Sequence, residues 1–107
     1  MPSRGTQTPP AIGRAVREVG RHLSDWRRLQ NLSAEQVADR AGISRATMHR
    51  IEAGAGASFE NILRVARALG VVDQVIAAFD PTTTDVGRAR ALDALPRRVS
   101  RQRGMKR

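Results

Sequence analysis

"VADRAGISRATMHRIEAG", Val37 to Gly54, holds two short helical patterns joined around a single glycine. Val37, Ala38 and Ala41 share one face of the first pattern, and Met48 and Ile51 pin the second at a spacing of three. A helix of about eight residues, a glycine able to turn left-handed and a helix that restarts within about three residues have the spacing of a helix-turn-helix. The crossing of the two helices needs a small residue, which Ala38 supplies, and the corner falls at Gly42. With Met48 and Ile51 turned inward, the second helix offers Arg45, Ala46, His49 and Arg50 outward, with Ser44 and Thr47 at the edge. Two cations and no acid on one helical face suit a reader of the DNA major groove. There Arg bonds guanine, and small residues permit close approach.

The flanking sequence extends a helical reading in both directions. Ile12, Val16, Val19, Leu23 and Trp26 alternate at spacings of four and three, which predicts an amphipathic helix from Ala11 to near Asn31 with Trp26 in the core. Gly20 weakens that helix by about 1 kcal/mol relative to Ala and marks a place for a bend. Ser33 and Gln36 form a capping-box pattern for the helix that Gly42 closes. After "GAGAS", read as a linker, Ser58 caps a fourth helix with Phe59, Ile62, Leu63, Val65, Ala66 and Leu69 as its apolar surface. "VVDQVIAAF" makes a short fifth helix stopped at Asp80-Pro81, and a further helix is predicted from Thr84 to Leu95, ended by Pro96. No alternating strand pattern with hairpin turns occurs, so the expected fold is all-α. The expected organisation is a disordered stretch over residues 1–10, a DNA-binding domain over 11–80 and a basic C-terminal arm over 81–107.

Charge points the same way. The 107 residues carry a net charge of +9, and eighteen of the nineteen cations are Arg. Residues 81–107 hold eight basic and two acidic residues and contribute most of the excess. An Arg-rich chain without bulky apolar anchors in its tail suits a nucleic-acid partner better than a membrane surface. There are no cysteines, which excludes disulfides and thiolate metal sites. With no export signal and no apolar run near the ~18 residues of a membrane span, a soluble cytoplasmic protein is expected.

"LSAEQVADRAGISRATMHRIEAG", followed by "SFENILRVARALGV", resembles the Cro and λ-repressor type of regulator, the XRE family. The resemblance covers Val19 to Val72, about half the chain. It implies a five-helix λ-repressor-like domain, here with an extended first helix, that binds operators as a dimer. By position it implies base contacts from Arg45 and Ala46, His49 one turn on, and edge or phosphate contacts from Ser44, Thr47 and Arg50. It also implies an ion pair between Arg27 and Glu52 that joins the first helix to the reading helix. One position departs from the pattern: the family usually places Gln at the start of the helix before the turn, and this chain has Ala34. Phosphate binding is then expected to rest on helix N-termini and arginines.

Other chemistry is thin. His22 and His49 are the only histidines and stand in no acidic or Cys cluster, so no metal site is expected. No nucleophilic motif and no phosphate loop after a strand occurs, so neither an enzyme nor a cofactor is expected. Val71, Val72, Val75, Ile76 and Phe79 crowd nine residues. They close the core or, since a small domain cannot hide all five, Val72, Val75, Ile76 and Phe79 form a two-fold dimer contact. The basic tail following that helix is similar to HipB-like antitoxins, which implies an alternative: autorepression combined with binding of a HipA-like kinase toxin. A third reading, from another class, is a protein-interaction adaptor.

Overall fold

The computed structural model describes residues 7–94, and every regular element within them is helical. In chain order these are α1 (Pro10–Leu29), α2 (Ala34–Ala41), α3 (Arg45–Ala53), α4 (Phe59–Leu69), α5 (Val72–Phe79), a 3-10 turn at Pro81–Thr83 and α6 (Asp85–Ala94). The all-α expectation holds. The readings of residues 1–6 and 95–107, the stop at Pro96 and the last part of the basic arm among them, lie outside the described residues.

The helix boundaries follow from serines at the starts and left-handed residues at the ends. Ser33, Ser44 and Ser58 accept the amides of Gln36, Thr47 and Asn61 at 3.0, 3.0 and 3.1 Å. At α2 the capping box is complete, because the Ser33 amide donates back to Gln36 Oε1 at 2.8 Å. Gly42 ends α2 with φ +72°, and the amides of Gly42 and Ile43 donate to the carbonyls of Asp39 and Ala38. These two hydrogen bonds satisfy two of the carbonyls that a helix end leaves open. Gly54, read in the sequence as linker, closes α3 by the same pair of bonds, to Ile51 and Arg50. α1 ends likewise on Asn31, at φ +59°, a conformation that Asn tolerates better than most side chains.

The described residues fall into two compact units that divide between Val72 and Asp73, before the start of the arm expected at residue 81. In the first unit, α2 packs on α3 and α4, and α1 packs on α3 and α4. The core is Leu23 of α1, Val37, Ala38 and Ala41 of α2, Met48 and Ile51 of α3, Val65, Ala66 and Leu69 of α4, and Val71. Three of these ten are alanines, which bring the helix axes close and keep the core small.

Two sequence readings of α1 need correction. Trp26 is 38% exposed rather than in the core, and of the five-residue apolar stripe only Leu23 is buried. α1 turns Gly20, Leu23 and Ser24 toward its neighbours instead. The reason lies at Gly20, where no break occurs. A Cβ there would strike the Ile51 carbonyl oxygen and lie 3.0 Å from that of Glu52. The helix rotates its thinnest side, rather than its greasiest, onto the backbone of α3.

The second unit is sparer, since neither α5 nor α6 buries a residue. Asp80 caps the 3-10 turn, taking the Thr82 hydroxyl at 2.7 Å and the Thr82 amide at 2.9 Å. These bonds, the hydroxyl's foremost, hold the Asp80 carboxyl below its usual range. Arg88 reaches back to the Thr82 carbonyl at 2.8 Å and pairs with Asp85. Of the residues read as a dimer contact, Val72 and Val75 are half-buried, while Ile76 and Phe79 are exposed.

Candidate nucleic-acid interface

α3 is built to present one side and bury the other. Met48 is fully buried and Ile51 nearly so, anchoring the helix from below. Arg45, Ala46, His49 and Arg50 are all exposed, as is Ser44, while Thr47 is half-buried at the edge. The Ser44 hydroxyl accepts the Thr47 amide and donates to Thr47 Oγ1 at 2.9 Å, so this pair is spent on fixing the start of the helix. The first turn of α3 contains no acid. The positive end of the helix dipole therefore lies beside Arg45 without an acid in its own turn, an arrangement that favours a phosphate.

The other end of α3 is held by Arg27 and Glu52. The guanidinium is bidentate on the carboxylate, Nε to Oε2 at 2.6 Å and Nη2 to Oε1 at 3.0 Å. A third bond runs from Nη1 to the Leu32 carbonyl at 2.9 Å, so Arg27 ties together α1, α3 and the loop before α2. Both side chains are largely buried, 15% and 16% exposed. The hydrogen bonds that Arg27 donates to Glu52 raise the Arg27 pKa; burial opposes this, and the carboxylate's charge adds to the rise. Arg27 therefore stays charged, and the geometry is that of a strong charge-assisted pair.

Two further braces have no place in the sequence reading. Arg64 of α4 donates to the Ala41 carbonyl at 3.4 Å, at the negative end of α2 and beside Gly42. Glu60 holds that guanidinium one turn back, Nη2 to Oε2 at 3.1 Å. Gln30 Nε2 donates to the Leu69 carbonyl at 2.8 Å, joining the end of α1 to the end of α4. The Glu60–Arg64 spacing is visible in sequence, but only as an exposed helix pair. The reach across to Ala41 is non-local and leaves no sequence signal.

Ala34 is half-buried at the start of α2, where the family pattern has Gln. Gln36 turns its side-chain carbonyl to the Ser33 amide. Ala38 is fully buried at the crossing and Gly42 sits at the corner. Among the described residues, no group of three His, Asp or Glu could hold a metal ion. No described helix is long and apolar enough to cross a membrane.

Comparison with known proteins gives one match. The family model of the helix-turn-helix domain matches residues 18–79, more than half of the chain. No curated protein and no solved structure matches the chain. The matched span runs from the middle of α1 to the end of α5 and encloses both the Gly42 corner and the Arg27–Glu52 pair. The chain belongs to the helix-turn-helix domain family and carries an all-α, λ-repressor-like domain whose partner is DNA.

Proposed function

We propose that the protein is a transcriptional regulator, a dimeric repressor that reads a palindromic operator with α3 in the major groove. The observation that carries this reading is the outward face of α3. Arg45 and Arg50 flank the small Ala46 and the ring of His49, all exposed, on a helix fixed by a bidentate pair at its far end. Arg45 stands where bidentate contact with guanine is available, and Ala46 leaves room for a base edge or a thymine methyl. The phosphate side would be the start of α3, where Ser44 and Thr47 fix the first turn and the Thr47 hydroxyl keeps its own hydrogen to donate. A two-fold contact through Val72, Val75, Ile76 and Phe79 would set the spacing of the half-sites.

A second reading, the antitoxin that represses its own operon and binds a kinase-like toxin, draws support from the second unit. None of its described residues is buried, and Val86 and Leu92 of α6 are exposed. A surface of this kind is completed by a partner.

Binding to a duplex from the gene's own promoter, measured at several salt concentrations, tests the proposal. The protein is expected to prefer that duplex over a scrambled one by at least about a thousandfold. Removing residues 97–107, which carry six cations, is expected to flatten the salt slope while leaving the preference intact. Equal affinity for both duplexes contradicts the operator reading. An unchanged slope combined with loss of a co-purifying neighbour-gene product moves the arm to the antitoxin reading.

A further inference from the structure

Arg14, Arg17, Arg21 and Arg28 form one row along α1. At 100° per residue they fall within about 60° of one another, about 90° round from the side that Gly20, Leu23 and Ser24 turn toward the domain. All four are exposed. Cations three and four residues apart on a helix repel, so the run Arg14, Arg17, Arg21 works against helix stability. The helix dipole does not call for it either. Cations favour the last turn, where Arg28 lies, whereas Arg14 and Arg17 lie in the first half. Glu18 stands 3.7 Å from Arg21 and 3.9 Å from His22. Among the described residues, Arg14 and Arg17 pair with no acid. Both precede residues 18–79, the span that matches the helix-turn-helix family.

Arg17 also lies against the end of α3. A Cβ on Gly54 would come within 2.6 Å of Arg17 Cα and Cγ, so the Arg17 stem rests on the glycine that closes α3. Its guanidinium runs back along α1, with Nη1 3.6 Å from where a Gly13 Cβ would stand. That direction carries its charge toward Arg14 rather than toward Glu18. We propose that Arg14 and Arg17 bind the sugar-phosphate backbone of duplex DNA, at the end of α3 opposite Ser44. The inference rests on the reading of α3 as the helix in the major groove. Such a helix sets its N-terminal residues on the base edges. α3 has nine residues and is about 13 Å long, against a groove about 8.5 Å deep. Its Gly54 end therefore emerges at the level of the phosphates, and Arg17 comes with it. A phosphate strand is the polyanion that offsets a self-repelling row, and a guanidinium fits it by two parallel hydrogen bonds. A membrane suits the row less well. Its flanks are Gly13 and Ser24 on one side and Glu18 and Asp25 on the other, with no bulky apolar side chain to insert.

The test measures binding of the full chain to a duplex from the gene's own promoter and to a scrambled one, over roughly 50 to 300 mM salt. Arg14→Gln with Arg17→Gln is expected to lower affinity for both duplexes by about tenfold or more, and to make the salt slope shallower by about 2. The ratio between the duplexes is expected to stay as it was, because phosphate contacts carry no sequence information. Arg14→Lys with Arg17→Lys, which keeps both charges, is expected to restore the slope. Arg28→Gln with Arg67→Gln, two exposed positions away from the end of α3, removes the same charge and is expected to change the slope by less than half as much. Arg14→Gln alone leaves the contact at Gly54 in place, so its expected change of about 1 decides the matter even if Arg17→Gln unsettles the fold. A duplex ratio near one in the native protein contradicts the operator reading, with the slope still deciding this one. An unchanged slope, an equal change in the Arg28 and Arg67 control, or a lysine pair that behaves like the glutamine pair overturns the proposal. So does loss of binding to phosphatidylserine vesicles with duplex binding intact, which assigns the row to a membrane.

Discussion

Replacing Gly20 with alanine is expected to destabilise the protein by about 1–3 kcal/mol, although helix propensity alone argues for a gain of about 1 kcal/mol. The added Cβ points at the backbone carbonyls of Ile51 and Glu52, not at a side chain that could swing aside. Relief requires α1 to lift off α3, which strains both Leu23 and the Arg27–Glu52 pair. Gly13 is the internal control. It lies in the same helix, but a Cβ there meets only Arg17 Nη1 at 3.6 Å, an ordinary contact. Gly13→Ala is therefore expected to stabilise the protein by about 0.5–1 kcal/mol. Thermal unfolding followed by circular dichroism checks both, since a change of 1 kcal/mol moves the Tm of a domain this size by about 4–8 °C. Shifts of the same sign at the two glycines contradict the close crossing of α1 and α3.

The largest loss is expected from Glu52→Ala, at about 3 kcal/mol. The carboxylate takes two of the three hydrogen bonds that Arg27 makes. Truncating it leaves a guanidinium in a pocket where its side chain is 15% exposed. The cost is the stranded cation more than the net worth of the pair. The double replacement Arg27→Met with Glu52→Leu is accordingly expected to regain most of the loss. A double-mutant cycle in denaturant should give a coupling of about 2 kcal/mol, and additive single effects would show that the pair does not bind the helices together. Because the pair holds the end of α3, the helix proposed to read DNA, Glu52→Ala is also expected to weaken DNA binding below the unfolding transition.

How much of this was legible in the sequence depends on how local each feature is. Ser33, Gln36, Gly42, Ser44 and Ser58 act on amides and carbonyls within five residues, and their roles read directly from spacing. Met48 and Ile51 set the outward face of α3 by subtraction. The Arg27–Glu52 geometry spans 25 residues and was reached only through family resemblance. Arg64 and Gln30 reach 23 and 39 residues along the chain to a carbonyl, and any Arg or Gln can make such a bond. α1 misled the periodicity reading for a different reason. A hydrophobic stripe shows that a helix has an apolar face, not which neighbour covers it. The close approach at Gly20 turns the stripe partly away from the core and leaves Trp26 at the surface.

The central claim is that the outward face of α3 reads base sequence. Selection from a randomised duplex pool, run in parallel with the native protein and with Arg45→Ala, tests it most directly. The native protein is expected to enrich a two-fold symmetric site, and Arg45→Ala to relax the preference at one position of each half-site by about 1–3 kcal/mol while leaving the other positions unchanged. If Arg45→Ala enriches the same site with the same preference at every position, α3 does not read that base through Arg45, and the assignment of the reading face is wrong.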